Sequence, residues 1–393
     1  MSKIKIYGNA APDSLVSLFV GKWVPWLALV VVFYYQVHRY LLNFEAGVDP
    51  TFGWKMGKYA LISMLCVAGF LIRFRSIFPL DKFDLLWVTT FTTSALVGFL
   101  SRSPDLIECG FWALAAWLIA KISLSLSIKR LERWCFVALL AQLMMIVTQA
   151  VGLIYFGKNF AHANSNFWLS RFGGLTVEPL SATMLGLFFT GFGFSCHGWK
   201  RWIVIVLGLF FVIACHTWTG YVYLLILFAL VCAKHLRRHP KWVVFTVVLS
   251  GLLAWFVLGS GKPNLAEFYE VKRSSIELHM TYWWPDVWRI WPSMTYDFNE
   301  TWWVNGVENM GLVWTLVYHA ALFYVLLVVW KKYRYYRTTE CAWIYLTTLI
   351  MGGYFLFGSL NLPYPVIYPA NFLFFLFAML CYFDRFNNAV AER

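Results

Sequence analysis

Long apolar runs recur along the whole chain and alternate with short polar segments that carry most of the charge. A transmembrane helix needs about 20 predominantly apolar residues, and shorter ones cross where they are paired or the bilayer is thin. The pattern therefore predicts an all-α, polytopic membrane protein with about twelve transmembrane helices. The runs are 24–42, 56–71, 83–100, 106–120, 134–155, 179–194, 202–215, 221–233, 242–258, 307–330, 343–360 and 370–383.

Two of these runs, 202–215 and 221–233, are short and lie close together. They are interpreted as two helices that meet at the turn Thr217-Trp218-Thr219-Gly220. A single long helix kinked at that turn is the competing interpretation, and it would break the alternation of charge along the chain.

The composition favours lipid as the solvent of this protein. Hydrophobic residues make up 61% of the 393 positions and charged residues only 13%, whereas soluble domains are about 25% charged. The net charge of +13 resides in short basic blocks between apolar runs, which is typical of membrane topology and argues against a nucleic-acid partner. If the N-terminus is cytoplasmic, 22 of the 32 basic residues fall on the cytoplasmic side, so both termini are predicted there.

The sequence contains none of the motifs that would indicate a metal or a nucleotide. The eight cysteines are scattered and most lie within apolar runs, where cysteine behaves as a small hydrophobic residue. We therefore predict no metal centre, no disulfide framework and no cofactor. Because Walker and Rossmann glycine motifs are missing as well, any chemistry must use a substrate that is already activated and reaches the protein in the membrane.

Residues 1–393 are expected to form one integral membrane domain with two long external loops, 157–178 and 259–306. The larger one joins predicted helices 9 and 10, and its stretch 275–291 is expected to form helices on the membrane surface. Both loops are rich in tryptophan, asparagine and charge, and loops held on a rigid scaffold often carry function. Aromatic rings beside carboxylates and amides suit sugars, although an aromatic belt that only anchors the loop has the same composition.

The smaller loop combines a cation with a predicted helix start. Pro179 suits the first position of a helix, so Glu178 is expected at its cap. Arg171 precedes that helix and is followed by the pair Gly173-Gly174. An arginine near a helix N-terminus suits a diphosphate, and an arginine that contacts lipid headgroups is the simpler alternative.

Several side chains in the loops are candidates for a general base. His279 titrates near neutrality and can take a proton from a hydroxyl. Carboxylates compete for the same role, among them Glu178 and Glu300, together with Asp286 and Asp297. His216, near the external end of a short helix, is a weaker candidate.

Three local patterns, in this order and on the predicted external side, resemble the O-antigen polymerase and ligase superfamily, the Wzy-type integral membrane glycosyltransferases. The patterns are RFGGLTVEP at 171–179, TWTG at 217–220, and NETW at 299–302 followed by NMGLV at 309–313. The likeness in pattern covers residues 160–320, and the helix layout extends it to the whole chain.

This resemblance implies a bacterial inner-membrane enzyme that needs no metal. Its donor would be an oligosaccharide linked to polyprenyl (undecaprenyl) diphosphate in the outer leaflet. Membrane lipid would surround the enzyme, and a chain-length regulator protein would be a candidate partner. Arg171 and either Arg273 or Arg289 would bind the diphosphate. Ligases of this family carry a histidine before the NETW-like pattern, where this chain has Asp297-Phe298, and Trp218 replaces a frequent arginine. Both departures favour a polymerase, whose acceptor is a lipid-linked repeat unit.

Other classes of function are compatible with the same helices. An O-antigen ligase would transfer the glycan to a lipid A-core sugar instead. A transporter or flippase of lipid-linked sugars would need charged residues within the membrane and helices broken by glycine or proline, and a non-catalytic membrane subunit would need neither.

Overall fold

The computed structural model describes residues 15–32, 52–156, 164–166, 169–171, 179–215, 217–236, 288–291, 302–359 and 368–386. Within these residues the chain forms eleven α-helices and one small β-hairpin. The elements are α1 (Leu15–Val31), α2 (Phe52–Ile77), α3 (Lys82–Ser101), α4 (Pro104–Ile122), α5 (Ile128–Phe156), β1 (Asn164–Asn166), β2 (Leu169–Arg171), α6 (Pro179–Gly193), α7 (Trp199–Ala214), α8 (Trp218–Leu236), α9 (Trp302–Tyr336), α10 (Ala342–Ser359) and α11 (Ala370–Tyr382).

The helices are those of a membrane-embedded all-α protein. Among the described residues, five stretches are long and apolar enough to cross a bilayer: Met56–Ile77, Lys82–Ser101, Ile128–Gly152, Gly306–Tyr336 and Ala342–Ser359. Shorter apolar helices accompany them. Eleven of the twelve predicted runs overlap a helix, although only residues 24–32 of the first run are described, and the twelfth run, 242–258, lies outside the described residues.

The two short runs near residue 217 form separate helices, as predicted. Helix α7 ends at Ala214 and α8 begins at Trp218. The predicted turn is shorter than expected, because residues 218–220 already belong to the first turn of α8. Thr217 stands at its start, where its carbonyl accepts a hydrogen bond from the Tyr221 amide at 3.1 Å and its hydroxyl lies 2.8 Å from that of Thr183 on α6.

Helix α11 forms the centre of the bundle. Every residue from Ala370 to Cys381 is buried, and the helix contacts α4, α6, α9 and α10. A helix that is apolar on all sides is stable only when other helices or lipid surround it. In this bundle other helices surround α11, whereas α2 and α5 expose large apolar side chains such as Leu71 and Met144.

Glycines allow neighbouring helices to approach closely. A Cβ atom at Gly208 of α7 would lie 2.6 Å from the backbone nitrogen of Thr190 on α6, and one at Gly110 of α4 would lie 2.6 Å from the carbonyl oxygen of Phe91 on α3. Apolar burial alone does not drive helices together in lipid, so close packing between small residues contributes much of their association.

At one end of the bundle, two arginines bind the C-terminal carbonyls of α4. The Arg73 guanidinium donates to the carbonyl of Ile122 at 2.7 Å. Arg385 donates to the carbonyls of Ala120 and Lys121 at 2.9 and 2.8 Å. Burial, together with the nearby charge of Arg73, lowers the pKa of Arg385 to about 10, so the guanidinium stays protonated at neutral pH. These cations compensate the negative end of the helix dipole.

A lysine caps α11 at the same end. The ammonium of Lys332 donates to the carbonyl of Cys381 at 3.2 Å and also to that of Tyr382. It lies 2.8 Å from the Asp384 carboxylate, which in turn accepts a hydrogen bond from the Tyr345 hydroxyl at 2.8 Å. The basic residues at this end therefore come from segments far apart in the chain, and the sequence assigned all of them to one side of the membrane.

Candidate functional site

Helix α9 is interrupted at Gly311, whose backbone has φ 77° and ψ 161°. Glycine is the residue that adopts this conformation without strain. The rings of Trp302 and Tyr318, on opposite sides of the break, have centroids 5.6 Å apart. In a straight helix sixteen residues would separate these positions by about 24 Å along the axis, so the arm 302–310 folds back along the arm 312–336.

Two further contacts fix the alignment of the arms. The ring centroids of Trp303 and His319 are 5.0 Å apart, and a Cβ atom at Gly306 would lie 3.0 Å from the Thr315 hydroxyl. Trp302 and Trp303, far from the bend, contact residues 318 and 319, which are also far from it, whereas Gly306 contacts the nearer Thr315. This order of contacts is the pattern of two antiparallel helices. We call this unit, residues 302–320, the α9 hairpin.

The α9 hairpin corrects two expectations from the sequence. The run 307–330 is not one straight span, because the chain reverses at Gly311. The NMGLV segment at 309–313 contains this bend, and its Leu312 begins the second arm. The large loop also ends earlier than 306, because residues from Trp302 onwards are helical, and Trp302 is fully buried rather than a loop anchor.

The hairpin is held against α3 and α4 by polar contacts within an apolar core. The Ser94 hydroxyl on α3 donates to the Met310 sulfur at 3.4 Å. The Cys109 thiol on α4 lies 3.8 Å from the Tyr318 hydroxyl. The Phe91 ring packs on that of Tyr318 with centroids 5.4 Å apart. These contacts hold the α9 hairpin against both helices.

Arg289 of the large loop is attached to the tip of the hairpin. Its backbone carbonyl accepts a hydrogen bond from the amide of Leu312 at 2.9 Å, and Leu312 is the first residue of the second arm. Residues 288–291 form a turn with exposed side chains, so the surface helix expected over 275–291 does not extend to these four residues. The first amides of a helix and its dipole favour an anion, and the turn fixes the backbone of a cationic residue at that position.

His319 is a residue that the sequence analysis did not single out. It is half-buried on the second arm of α9, seven residues and about 10 Å along the helix from Leu312. Its Nδ1 atom lies 2.8 Å from the carbonyl of Thr315, and its Nε2 atom lies 3.4 Å from the hydroxyl of Ser359 on α10. Its position within an apolar span could have identified it from the sequence, because ionisable groups in a membrane are costly and usually functional.

A lysine is enclosed by aromatic rings at the same end of the bundle. Lys58 of α2 is 8% exposed, and its ammonium lies 4.8, 5.6 and 4.4 Å from the ring centroids of Tyr59, Trp112 and Tyr368. The Tyr59 hydroxyl donates to the carboxylate of Glu108 on α4. Ring faces attract a cation, so this cluster, which we call the Lys58 cage, joins α2 and α4 to the segment before α11.

The remaining predicted site residues are placed only in part. The backbone of Arg171 lies in β2, paired with Asn164 of β1 in an antiparallel hairpin. Helix α6 begins at Pro179, as predicted. The other candidates lie outside the described residues: Arg273, Glu178, His279 and Glu300, together with His216, Asp286 and Asp297.

Within the described part of the chain, no group of three or more histidine, cysteine, aspartate or glutamate side chains could hold a metal ion. No protein-family model, curated protein or solved structure matches the chain.

Proposed function

We propose that the chain is a membrane glycosyltransferase, a polysaccharide polymerase that moves a polyprenyl-diphosphate-linked glycan onto a lipid-linked repeat unit. The observation that carries this proposal is the hydrogen bond between the Arg289 carbonyl and the Leu312 amide. It fixes the backbone of a cationic loop residue at a helix N-terminus. The sequence predicts that this end of the bundle is external. The resemblance of the sequence patterns to Wzy-type enzymes points to the same chemistry.

The leaving group explains why such a place is useful. A diphosphate that links two groups carries about two negative charges. Further negative charge develops on the oxygen that leaves the anomeric carbon as the bond between them breaks. A helix N-terminus, and a guanidinium whose backbone is fixed beside it, stabilise this charge with little reorganisation. Arg289 supplies one cation, and Arg171 or Arg273 would supply another.

The orientation proposed for the protein follows from its basic residues. Arg73, Lys121, Lys332 and Arg385 gather at one end of the bundle, and the positive-inside rule assigns that end to the cytoplasm. The hairpin tip and Arg289 then face the outer leaflet of the bacterial inner membrane, where a lipid-linked donor is available.

The test uses purified protein in lipid nanodiscs with a synthetic polyprenyl-diphosphate-linked repeat unit. Arg289→Ala is expected to lower turnover about 30- to 1000-fold, because a charge-assisted contact to phosphate contributes about 2–4 kcal/mol. Arg289→Lys should recover only part of the activity, since an ammonium lacks the bidentate guanidinium. Arg102→Gln is the matched control, an exposed arginine at the C-terminus of α3 at the same end. Equal glycan ladders from the Arg289→Ala and Arg102→Gln variants would refute the diphosphate role.

The interrupted helix α9 favours a second candidate, a flippase of lipid-linked sugars. Broken helices that surround a site within the membrane are typical of transporters. The two candidates differ in the intermediate that a deletion strain accumulates. Loss of a polymerase leaves single repeat units on the carrier in the outer leaflet, whereas loss of a flippase leaves them in the inner leaflet. Full-length polymer on the carrier would indicate a ligase.

A further inference from the structure

The hydrogen bonds of His319 fix the position of its proton. A backbone carbonyl can only accept, so the Nδ1 atom that lies 2.8 Å from the Thr315 carbonyl must carry the hydrogen. In the neutral ring Nε2 then keeps a lone pair. Nε2 lies 3.4 Å from the Ser359 hydroxyl, and this hydroxyl also donates to the carbonyl of Leu356 at 2.8 Å. Among the described residues Nε2 is therefore a base whose hydrogen-bond contact is long and shared.

Aromatic rings surround this base. The Trp303 ring lies 5.0 Å from the imidazole with a tilt of 48°, and the Tyr318 ring lies at 5.1 Å, nearly perpendicular. On the first arm of the hairpin, the indole Nε1 of Trp302 is buried and has no acceptor among the described residues. The α9 hairpin thus combines aromatic surface with a weakly bonded acceptor, Nε2 of His319, and with the N–H donor of Trp302. A sugar, with an apolar ring face and hydroxyls at its edges, provides complementary groups.

We propose that His319 is the general base that removes the proton from the acceptor sugar's hydroxyl. This inference rests on the proposed transferase function. The acceptor hydroxyl donates to Nε2, and its oxygen attacks the anomeric carbon of the donor glycan. The new C–O bond forms as the bond between that carbon and the diphosphate oxygen breaks, and the polyprenyl diphosphate leaves with the bonding electron pair. The imidazolium then releases its proton to water, so atoms and charge balance without a redox step.

The position of His319 on α9 agrees with this role. Residues 312 and 319 are seven apart and so lie on one face of the second arm. Helix α9 therefore carries both elements of the reaction, with the leaving group at its N-terminus near Arg289 and the base two turns further along. This assignment replaces the loop residues His279, Glu178 and Glu300 as the first choice for the base.

The kinetic test compares His319→Gln and His319→Asn with the wild-type protein in the same nanodisc assay. Neither amide can act as a base, so turnover is expected to fall about 10²- to 10⁴-fold while binding of the lipid-linked donor, measured directly, stays unchanged. The asparagine variant preserves a side-chain N–H that can reach the Thr315 carbonyl and is the more conservative of the two. In His319→Ala, added imidazole should restore part of the turnover. His197→Gln, an exposed histidine between α6 and α7, is the control and should match the wild type.

The outcomes separate the base assignment from the proposed function. Wild-type turnover in His319→Asn would overturn the base assignment while leaving the transferase intact. Equal loss of turnover and of donor binding in both variants would make His319 structural and would also overturn it. If the wild-type protein transfers no glycan, the proposed function fails and the base assignment falls with it. A separate readout needs no substrate: nitrogen-15 spectra of histidine-labelled protein should show a protonated Nδ1 and a bare Nε2 for His319, and the opposite tautomer would contradict the inference.

Discussion

The ammonium of Lys121 lies 2.6 Å from Oδ2 of Asp84, and this pair joins the C-terminus of α4 to the N-terminus of α3. Asp84 is fully buried. Its other oxygen accepts the indole N–H of Trp117 at 2.8 Å, and Oδ2 also accepts the amide of Asp81 at 2.9 Å. A buried carboxylate is tolerated when its lone pairs are used in this way. The ion pair and the two hydrogen bonds together stabilise the buried carboxylate of Asp84.

Asp84→Ala is expected to destabilise the protein by about 3–5 kcal/mol, because it leaves the mostly buried Lys121 without its partner. Thermal unfolding in detergent, followed by loss of helical circular dichroism, measures the change. Lys129→Ala removes an exposed lysine from the start of α5 and should alter the midpoint little. The double variant Asp84→Ala/Lys121→Ala should lose less than the sum of its parts, since neither charge is left alone. Strict additivity would show that the ion pair contributes nothing.

Lys58→Ala is expected to weaken the packing of α2 against α4. A desolvated cation on aromatic faces contributes about 2 kcal/mol, and the lysine stem adds its own buried contacts. Resistance of the folded protein to unfolding by SDS is a suitable measure. The exposed Lys82 offers the comparison, because Lys82→Ala removes the same charge without a cage. If the two variants unfold at the same SDS concentration, the Lys58 cage has no stabilising role.

Gly311→Ala tests the α9 hairpin. A Cβ atom at φ 77° and ψ 161° is strained by about 1–3 kcal/mol, so the bend should shift, and glycan transfer per folded molecule should fall in addition to stability. Gly198→Ala is the matched control, since Gly198 also has a positive φ of 59° and nothing within 4 Å of an added Cβ atom. This control should lose stability but keep its activity per folded molecule. Loss of activity in proportion to folded protein in both variants would mean that the bend has no part in transfer.

The proposed orientation can be tested by single cysteines at two exposed positions, Arg102→Cys at the predicted external end and Lys129→Cys at the predicted cytoplasmic end. A membrane-impermeant maleimide applied to whole cells should label position 102 and reach position 129 only after permeabilisation. Burial raises the pKa of the native thiols at Cys196 and Cys341, so less of the reactive thiolate forms at these two positions. Labelling of 129 but not 102 in intact cells would invert the topology.

Most of the helices could be predicted from the sequence, because the requirement for continuous apolar runs in lipid leaves a strong local signal. The start of α6 at Pro179 and the separation of α7 from α8 were predicted from proline chemistry and charge alternation. Each of these features depends on residues that are neighbours in the chain.

The features that the sequence analysis missed depend on contacts between distant residues. The apolar run 307–330 contains Gly311, but hydropathy is the same whether the chain continues straight or reverses, so the α9 hairpin was invisible. The pairing of Asp84 with Lys121 likewise needs two helices to be placed side by side. His319 was overlooked for a different reason. It was treated only as part of an apolar run, although an ionisable side chain within a transmembrane helix itself indicates a functional residue.

The central position of α11 has a consequence for biosynthesis. The ribosome makes this helix after every other described helix, yet its residues fill the middle of the bundle, and the side chain of Arg385 completes the end of α4, which was synthesised more than 260 residues earlier. The described helices that precede α11 therefore enter the bilayer before the residues that fill their common core have been made. A nascent chain stalled before residue 370 would hold these helices in the membrane without that core, and protease sensitivity should persist until α11 is released from the ribosome.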